Sequence, residues 1–302
     1  MRKFFFDLKL IIFFLSSLVL LSCKAQKKPA LPVAADNNSL LWEISGKNPG
    51  KTSYIFGTFH LMCKEDIRFS ENLKAALHGS DEVYFEMDLD DPANTLGAMF
   101  FMNMRGDTTL KDLFTDKEYA RLESFFRDSL KMSISFMNKM KPMMLEALMY
   151  PKLMPCKNMS GIEQELMGLA MKEKKEIKGF ETIEFQASVF DSIPYKEQAK
   201  DLLKNIDSMA SYKVYFDSML YVYKTQQLER IGSMMNDSSF GGAEDQEILL
   251  DKRNRNWVKQ LDNLLPEKSL FIAVGAGHLP GKNGVLELLR KNGYTVKPVA
   301  NK

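Results

Sequence analysis

Only three histidines occur in this chain, and two share a local context: Gly57-Thr58-Phe59-His60 and Gly275-Ala276-Gly277-His278. Each motif is Gly-x-x-His, and each follows an apolar, strand-like run. Glycine at a strand end lets the backbone turn sharply and approach a ligand closely. A histidine just past such a strand stands at the carboxyl end of its sheet, where open α/β sheets bind ligands. If the two strands are neighbours, both imidazoles face one cleft. One Gly-x-x-His is a weak signal; two of them, using two of three histidines, are a strong one. His78 has no such context. It ends a predicted helix before Gly79, where histidine suits the helix terminus.

Other reaction chemistries lack their patterns. There is no Gly-x-Ser-x-Gly elbow, no phosphate loop, no dinucleotide fingerprint and no His-Glu-x-x-His helix. Cys63 lies three residues after His60, but a Cys/His nucleophile is disfavoured because Cys156 offers a disulfide partner. In an oxidising compartment those two cysteines are a candidate bridge, with two buried thiols as the alternative.

The elements that must hold the histidines can be read from periodicity. Leu40 to Ser45 and Ser53 to Phe59 read as strands joined by a turn at Gly46-Lys47-Asn48-Pro49-Gly50. Ser70 to Leu77 reads as a helix with Ser70 as N-cap, and Glu82 to Met87 as a further strand. From Asp112 to Asn263 the pattern is mostly helical, interrupted by a short strand at Ile177 to Glu181. A long helical stretch is expected from Pro194 toward Met235, then a break at Gly241-Gly242 and a helix from Ala243 to Leu265. The methionine-rich stripes, such as Met143 and Met144, read as adaptable core packing. Ser269 to Val274 is an apolar strand, Gly284 to Lys291 a helix, and Tyr294 to Val299 a last strand. Strands at both ends with a helical middle imply an α/β fold whose terminal strands meet in one sheet under flanking helices.

The N-terminus carries a different message. Arg2, Lys3 and Lys9 precede an apolar run from Leu10 to Leu21, too short for a bilayer core of about 30 Å but right for a secretory h-region. It ends in Leu20-Leu21-Ser22-Cys23, the pattern of a bacterial lipoprotein signal. Residues 1–22 are therefore expected to be a signal peptide, with Cys23 as the lipidation site and residues 23–39 as a flexible tether to the 40–302 domain. The alternative is an ordinary secreted protein cut near Ser22. Lipid chains would anchor the chain without a transmembrane helix. Of 41 basic and 39 acidic residues, the leader holds three and one, so 38 of each remain. No clustered basic face points to nucleic acid. The expected location is a bacterial envelope, anchored by lipid in the outer membrane and facing the periplasm.

At this point the sequence resembles a known family. Leu41-Trp42-Glu43-Ile44 through Gly57-Thr58-Phe59-His60, then Ser80 to Glu86, Gly161-Ile162-Glu163 and Lys178 to Gln186, are similar in order to TraB/GumN proteins. These share their core with the Tiki metalloproteases. The most diagnostic stretch is Arg253-Asn254-x-x-Trp257, Ala273 to Gly281 and Gly293-Tyr294-x-Val296. The resemblance covers about residues 40 to 299. It implies a central mixed sheet with flanking helices and a large helical middle segment, of the erythromycin-esterase and ChaN kind. It also implies that His60, His278 and Glu86 bind a divalent metal, with Glu86 an acidic partner in catalysis.

Two imidazoles and a carboxylate suit Zn²⁺, Mn²⁺ or Co²⁺ and leave room for water. Either Glu163 or Glu181 could shuttle a proton, and Arg253 or Asn254 could hold a substrate carboxylate or carbonyl. Bland alternatives stand beside these. Glu86 could simply pair with Arg253, Glu181 and Gln186 could orient backbone, and Glu163 could sit at a helix start for its dipole. Arg253 and Asn254 could lie on a solvated helix face. Two functions lead: a metal-dependent, peptidase-like hydrolase acting on a peptide or protein in the envelope, or a module that binds such a ligand without turnover. The paired histidine motifs speak against a third, a structural lipoprotein with a vestigial pocket.

Overall fold

The strand that carries the second histidine motif is apolar along its whole length, and that dictates where it lies. In the computed structural model, which describes residues 31–34, 37–46, 51–88, 90–91, 101–235 and 246–302, Leu270, Phe271, Ile272, Ala273 and Val274 are buried. A strand buried on both faces belongs in the interior of a parallel sheet. The strands are β1 (Leu41–Ser45), β2 (Ser53–Thr58), β3 (Met62–Cys63), β4 (Glu82–Met87), β5 (Met159–Ser160), β6 (Glu176–Glu181), β7 (Leu270–Gly275) and β8 (Thr295–Pro298). Six of them form one sheet in the order β6-β4-β7-β2-β1-β8.

The pairs β6/β4, β4/β7 and β7/β2 are parallel, whereas β1 pairs antiparallel with β2 and β8. The first and last strands of the sequence thus meet, as the pattern implied. The sheet is mixed and the fold α/β. In β4, expected as a strand, Glu82, Val83, Tyr84 and Phe85 are buried in succession and not alternately, because it lies inside the sheet with both faces covered.

The helices are α1 (Glu71–Gly79), α2 (Leu110–Leu113), α3 (Asp116–Phe125), α4 (Pro142–Ala147), α5 (Tyr150–Leu153), α6 (Ile162–Lys172), α7 (Ile183–Asp191), α8 (Tyr195–Asp207), α9 (Met209–Lys224), α10 (Leu228–Met235), α11 (Lys252–Leu264) and α12 (Val285–Lys291). Ser70 caps α1 by accepting the Leu73 N–H. The single stretch expected beyond Pro194 is three helices instead. It breaks at Ser208 and again at Gln226, whose φ of 56° leaves the helical region. The Gln226 side chain accepts from the Leu40 amide, so the second break fixes the helices to the sheet.

Two cores divide the work. One surrounds the sheet, from Leu41 to Val299. The other is helical, with Leu110, Leu122, Phe126, Leu145 and Leu202 at its centre. Lys141 and Asp191 form a buried ion pair of 2.8 Å beside it. Met143 and Met144 do not fill either core as the stripe reading expected. Leu145 and Met149 are buried on α4 and just beyond it, and the two methionines line a cavity. Among the described residues no helix is long and apolar enough to cross a membrane. The leader, Cys23, part of the tether, the turn at 47–50 and the Gly241-Gly242 break lie outside the described residues.

Candidate functional site

Parallel strands end together, so their last residues share one edge. Thr58 stands opposite Gly275 in the β2/β7 register, and Met87 opposite Glu181 in β4/β6. Glu181, Glu86, His278 and His60 thus come from the carboxyl ends of four consecutive strands or from the turns just past them. This edge forms one wall of a cavity of about 460 Å³ that both histidines, Glu86 and Arg253 line.

The motif glycines serve by being small rather than by turning. Gly57 and Gly275 have ordinary negative φ. A Cβ on Gly57 would lie 2.9 Å from Leu279 Cδ1 and 3.0 Å from Ala276 Cα. One on Gly275 would lie 3.2 Å from Glu86 Oε1. The glycines let the two motifs and Glu86 pack against each other.

His278 is buried, and its neighbours settle its tautomer. Arg253 Nη1 lies 3.2 Å from Nε2, and a guanidinium can only donate, so Nε2 accepts. Nδ1 then carries the proton and donates to Asn254 Oδ1 at 2.6 Å. The Asn254 amide is fixed in that sense because its Nδ2 donates to the Asn283 carbonyl at 2.9 Å. Burial pulls the His278 pKa down to about 3, so the ring is neutral at physiological pH. Trp257 packs on it with centroids 4.4 Å apart.

His60 has the opposite character. Its ring faces the cavity with 78% of the side chain exposed, while Nδ1 lies 2.8 Å from Glu163 Oε1. That hydrogen bond, with the charges of Glu163 and Glu86, raises the His60 pKa to about 9. Glu163 also accepts from the Thr58 hydroxyl at 2.6 Å. Although burial would raise its pKa, His60 and Thr58 hold its carboxyl below the ordinary range.

The pairing depends on a small clamp. β3, just after His60, pairs with β5, just before Glu163, and the Cys63–Cys156 disulfide closes the same ribbon. Tyr223 reinforces it by donating to the Gly57 carbonyl at 2.8 Å.

Between the histidines lies an ion cluster. Glu86 accepts from the Gly275 N–H at 2.8 Å and from Arg253 Nη2 at 2.6 Å. Burial raises its pKa, but the charges of His278, Arg253 and His60 and the Gly275 N–H together pull it down to about 2. Because His278 is neutral above about pH 3, Arg253 and His60 are the charges that act at neutral pH. Arg253 also grips Glu181 through Nε and Nη2 at 3.0 and 2.8 Å. Its Nη1 donates to the Leu249 carbonyl at 3.0 Å. Leu249 belongs to a π-helical turn, Glu247–Asp251, that runs directly into α11. Trp257 Nε1 donates to Glu181 at 2.7 Å, and Gln186 bridges Glu86 and Glu181 at 3.3 and 3.1 Å.

These contacts sort the expected residues. Arg253 and Asn254 are buried, not on a solvated face, because α11 turns that side onto the sheet edge. Their donors already have protein partners, so in this arrangement they orient Glu86 and His278 instead of waiting for a substrate oxygen. Glu181 is enclosed by Arg253, Trp257 and Gln186. Glu163 is the carboxylate that meets a cavity-facing imidazole. His78 sits at the end of α1, 2.6 Å from Glu173, away from the cavity lining. Thr58 and Tyr223 were not singled out from sequence. Thr58 lies inside the first motif and could have been; Tyr223 carries no local signal.

The donor set suits a divalent cation in kind. Each histidine has Nδ1 held by an oxygen, the arrangement that aims Nε2 of a ligating imidazole, and Glu86 Oε1 lies 3.8 Å from His278 Nε2. Among the described residues, only Cys63, Glu65 and Cys156 bring three potential ligand atoms within 4.8 Å of one another. Their sulfurs are joined in the disulfide, so that group is no metal site. The His60, His278 and Glu86 set is more open, with Arg253 bonded to both His278 and Glu86.

Fold and site together define an α/β protein with a histidine–carboxylate pocket at the carboxyl edge of the parallel strands of a mixed sheet. The model of the TraB/PrgY/gumN family matches residues 40–298, and the chain belongs to that family. It is 27% identical to Metalloprotease TIKI1 of Xenopus tropicalis over 91% of this chain and 63% of that protein. It is 26% identical to Metalloprotease TIKI1 of Homo sapiens, over 88% of this chain and 63% of that protein. With Metalloprotease TIKI2 of Danio rerio it shares 25% identity, over 87% of this chain and 61% of the relative. The chain thus spans slightly less than two thirds of the length of these relatives. No solved structure matches it significantly.

Proposed function

We propose that this protein is a metal-dependent, peptidase-like hydrolase of the bacterial envelope, lipid-anchored at Cys23 and acting on a peptide or protein that reaches the cavity. The observation that carries the reading is the paired histidine geometry. Two Gly-x-x-His motifs on adjacent parallel strands present rings whose Nδ1 atoms are held by Glu163 and Asn254, flanking an ionised Glu86. The distant relationship to the metalloproteases supports the same reading, and the disulfide agrees with an oxidising compartment.

His60 and His278 would hold the ion through Nε2 and Glu86 through a carboxylate oxygen. A divalent cation bound there supplies Lewis acidity and acidifies water. His278 enters already neutral, with its lone pair on Nε2. His60 must first release its proton, so cation binding is coupled to proton release. In hydrolysis, water adds to the carbonyl carbon, the C–N bond breaks, and the amine leaves with a proton. Glu163 accepts the His60 Nδ1–H and would aim Nε2 at the ion, and the proton released by water goes to the departing amine. Arg253 keeps Glu86 charged and oriented.

One feature favours binding without turnover. Arg253 Nη1 already occupies the direction of the His278 Nε2 lone pair, so the present arrangement is closed to a ligand on that side.

The test is metal content of residues 24–302 by elemental mass spectrometry after metal-replete purification, beside a His60→Ala/His278→Ala double variant, followed by a peptide screen. Near-stoichiometric metal in the parent, lost in the variant and accompanied by peptide products, is expected. No metal in either folded protein, with saturable peptide binding and no product, would replace the hydrolase with the binding module.

A further inference from the structure

The cavity is much larger than the histidine–carboxylate cluster needs. Its polar side chains gather at the sheet edge: Thr58, His60, Glu86, Gln186, Arg253 and His278. The opposite walls come from α4, α7, α9, α10 and the π-helical turn, and they are apolar. Five methionines line them, namely Met143, Met144, Met219, Met234 and Met235. The tyrosines there do not offer free hydroxyls. Tyr212 donates to Glu146, Tyr150 is hydrogen-bonded to Tyr212, and Tyr223 donates to the Gly57 carbonyl.

A ligand that fills such a space must be polar at one end and hydrocarbon elsewhere. Peptide backbone laid along those apolar walls would face carbon instead of hydrogen-bond partners, which is costly wherever the walls keep water away. A hydrocarbon chain loses nothing there. The volume of about 460 Å³ falls in the range of sites for whole small molecules, not a notch for one side chain. Methionine walls, unbranched and polarizable, adapt to a flexible chain.

We infer that this cavity binds a fatty acyl chain, so that the ligand class of the site is an N-acylated peptide whose first amide bonds lie at His60 and His278. This rests on the hydrolase reading for what happens to those bonds, but not for the binding itself.

The experiment uses residues 24–302 and a series of N-acyl-Ser-Lys-Lys probes with chains of 4 to 16 carbons, kept below their aggregation limit. Binding is followed by calorimetry, and products are sought separately by mass spectrometry. Affinity is expected to rise about fourfold per added methylene, the equivalent of about 0.8 kcal/mol, until the cavity is full. Ala147→Trp, which fills the space, should weaken the 16-carbon probe at least tenfold and barely affect the 4-carbon one. Met219→Lys, which places a charge among the apolar walls, should do the same and serves if the tryptophan variant misfolds. Equal affinity for Leu-Leu-Leu-Ser-Lys-Lys without an acyl group, or no dependence on chain length in the parent, overturns the inference. Tight, length-dependent binding without cleavage would instead sink the hydrolase reading and leave the acyl site standing.

Discussion

Replacing Asn254 with alanine tests the site where its logic is tightest. In the parent, Asn254 Oδ1 takes the His278 Nδ1 proton and its Nδ2 serves the Asn283 carbonyl. Both Asn254 and His278 are buried, at 1% and 4% exposure. Alanine orphans one buried N–H and one partly buried carbonyl. At about 1–3 kcal/mol for each unsatisfied group, relieved in part by water, the expected loss is about 2–4 kcal/mol of stability. The ring can also escape by moving its proton to Nε2, which removes the lone pair aimed at the cluster. Loss of such an orienting contact weakens metal binding by about 10–100-fold. Asn254→Asp keeps the acceptor, sets a carboxylate oxygen against the Asn283 carbonyl at a cost in stability, and should bind metal better than the alanine variant. Urea unfolding gives the stability, chelator competition gives the metal affinity, and long-range ¹H–¹⁵N NMR of the metal-free protein reports which nitrogen is protonated. A parent with its proton on Nε2 would refute the tautomer assignment. An alanine variant that loses stability but keeps its metal affinity would reduce Asn254 to a packing residue.

Other outcomes follow from the same geometry. Arg253→Met leaves Glu86 and Glu181 facing each other without their shared cation, and should cost about 3–5 kcal/mol in denaturant unfolding; adding Glu181→Gln should recover part of it. The Cys63–Cys156 bridge closes 93 residues of sequence, so Cys63→Ser/Cys156→Ser should lose about 4–5 kcal/mol on the chain-entropy estimate. Activity should fall beyond the effect on the folded fraction, because the clamp also holds His60 to Glu163; unchanged turnover in the folded variant would remove the clamp from the site. Burial raises the Asp191 pKa, but hydrogen bonds from Lys141 and Tyr195 hold it below the ordinary value. Its contribution is therefore present above the unfolded carboxylate pKa and is lost as pH falls through the folded one. Asp191→Asn should flatten the acid limb of stability against pH and lower stability at pH 7.

The strands and the histidine pair were legible because their signals are local. A short, unbroken apolar run such as Leu270 to Val274, closed by glycine, fits an interior strand, and a glycine-led histidine at its end marks the carboxyl edge wherever the strand lies. The helix start at Ser70 was readable for the same reason, since an N-cap is a contact three residues long. The partner of each histidine was not readable, because Glu163 and Asn254 lie 103 and 24 residues away from their rings. Nothing in the spacing distinguishes a carboxylate that orients His60 from one locked under Arg253. The same limit applies to α11. Its charged sequence suggests a solvated face, and only the sheet edge beneath it buries Arg253 and Asn254. While Met104 and Met149 do fill the helical core, Met143 and Met144 show the reverse error. Their periodicity says only that they face inward, and whether inward means core or cavity depends on how far the opposite wall stands. Sequence alone thus determined the family, the α/β class and the two histidine motifs that meet at the sheet edge, since these are written in short-range pattern. Tertiary structure decided which of them touch, which ring is neutral and how large a space they share, because those depend on distances between segments remote in the chain.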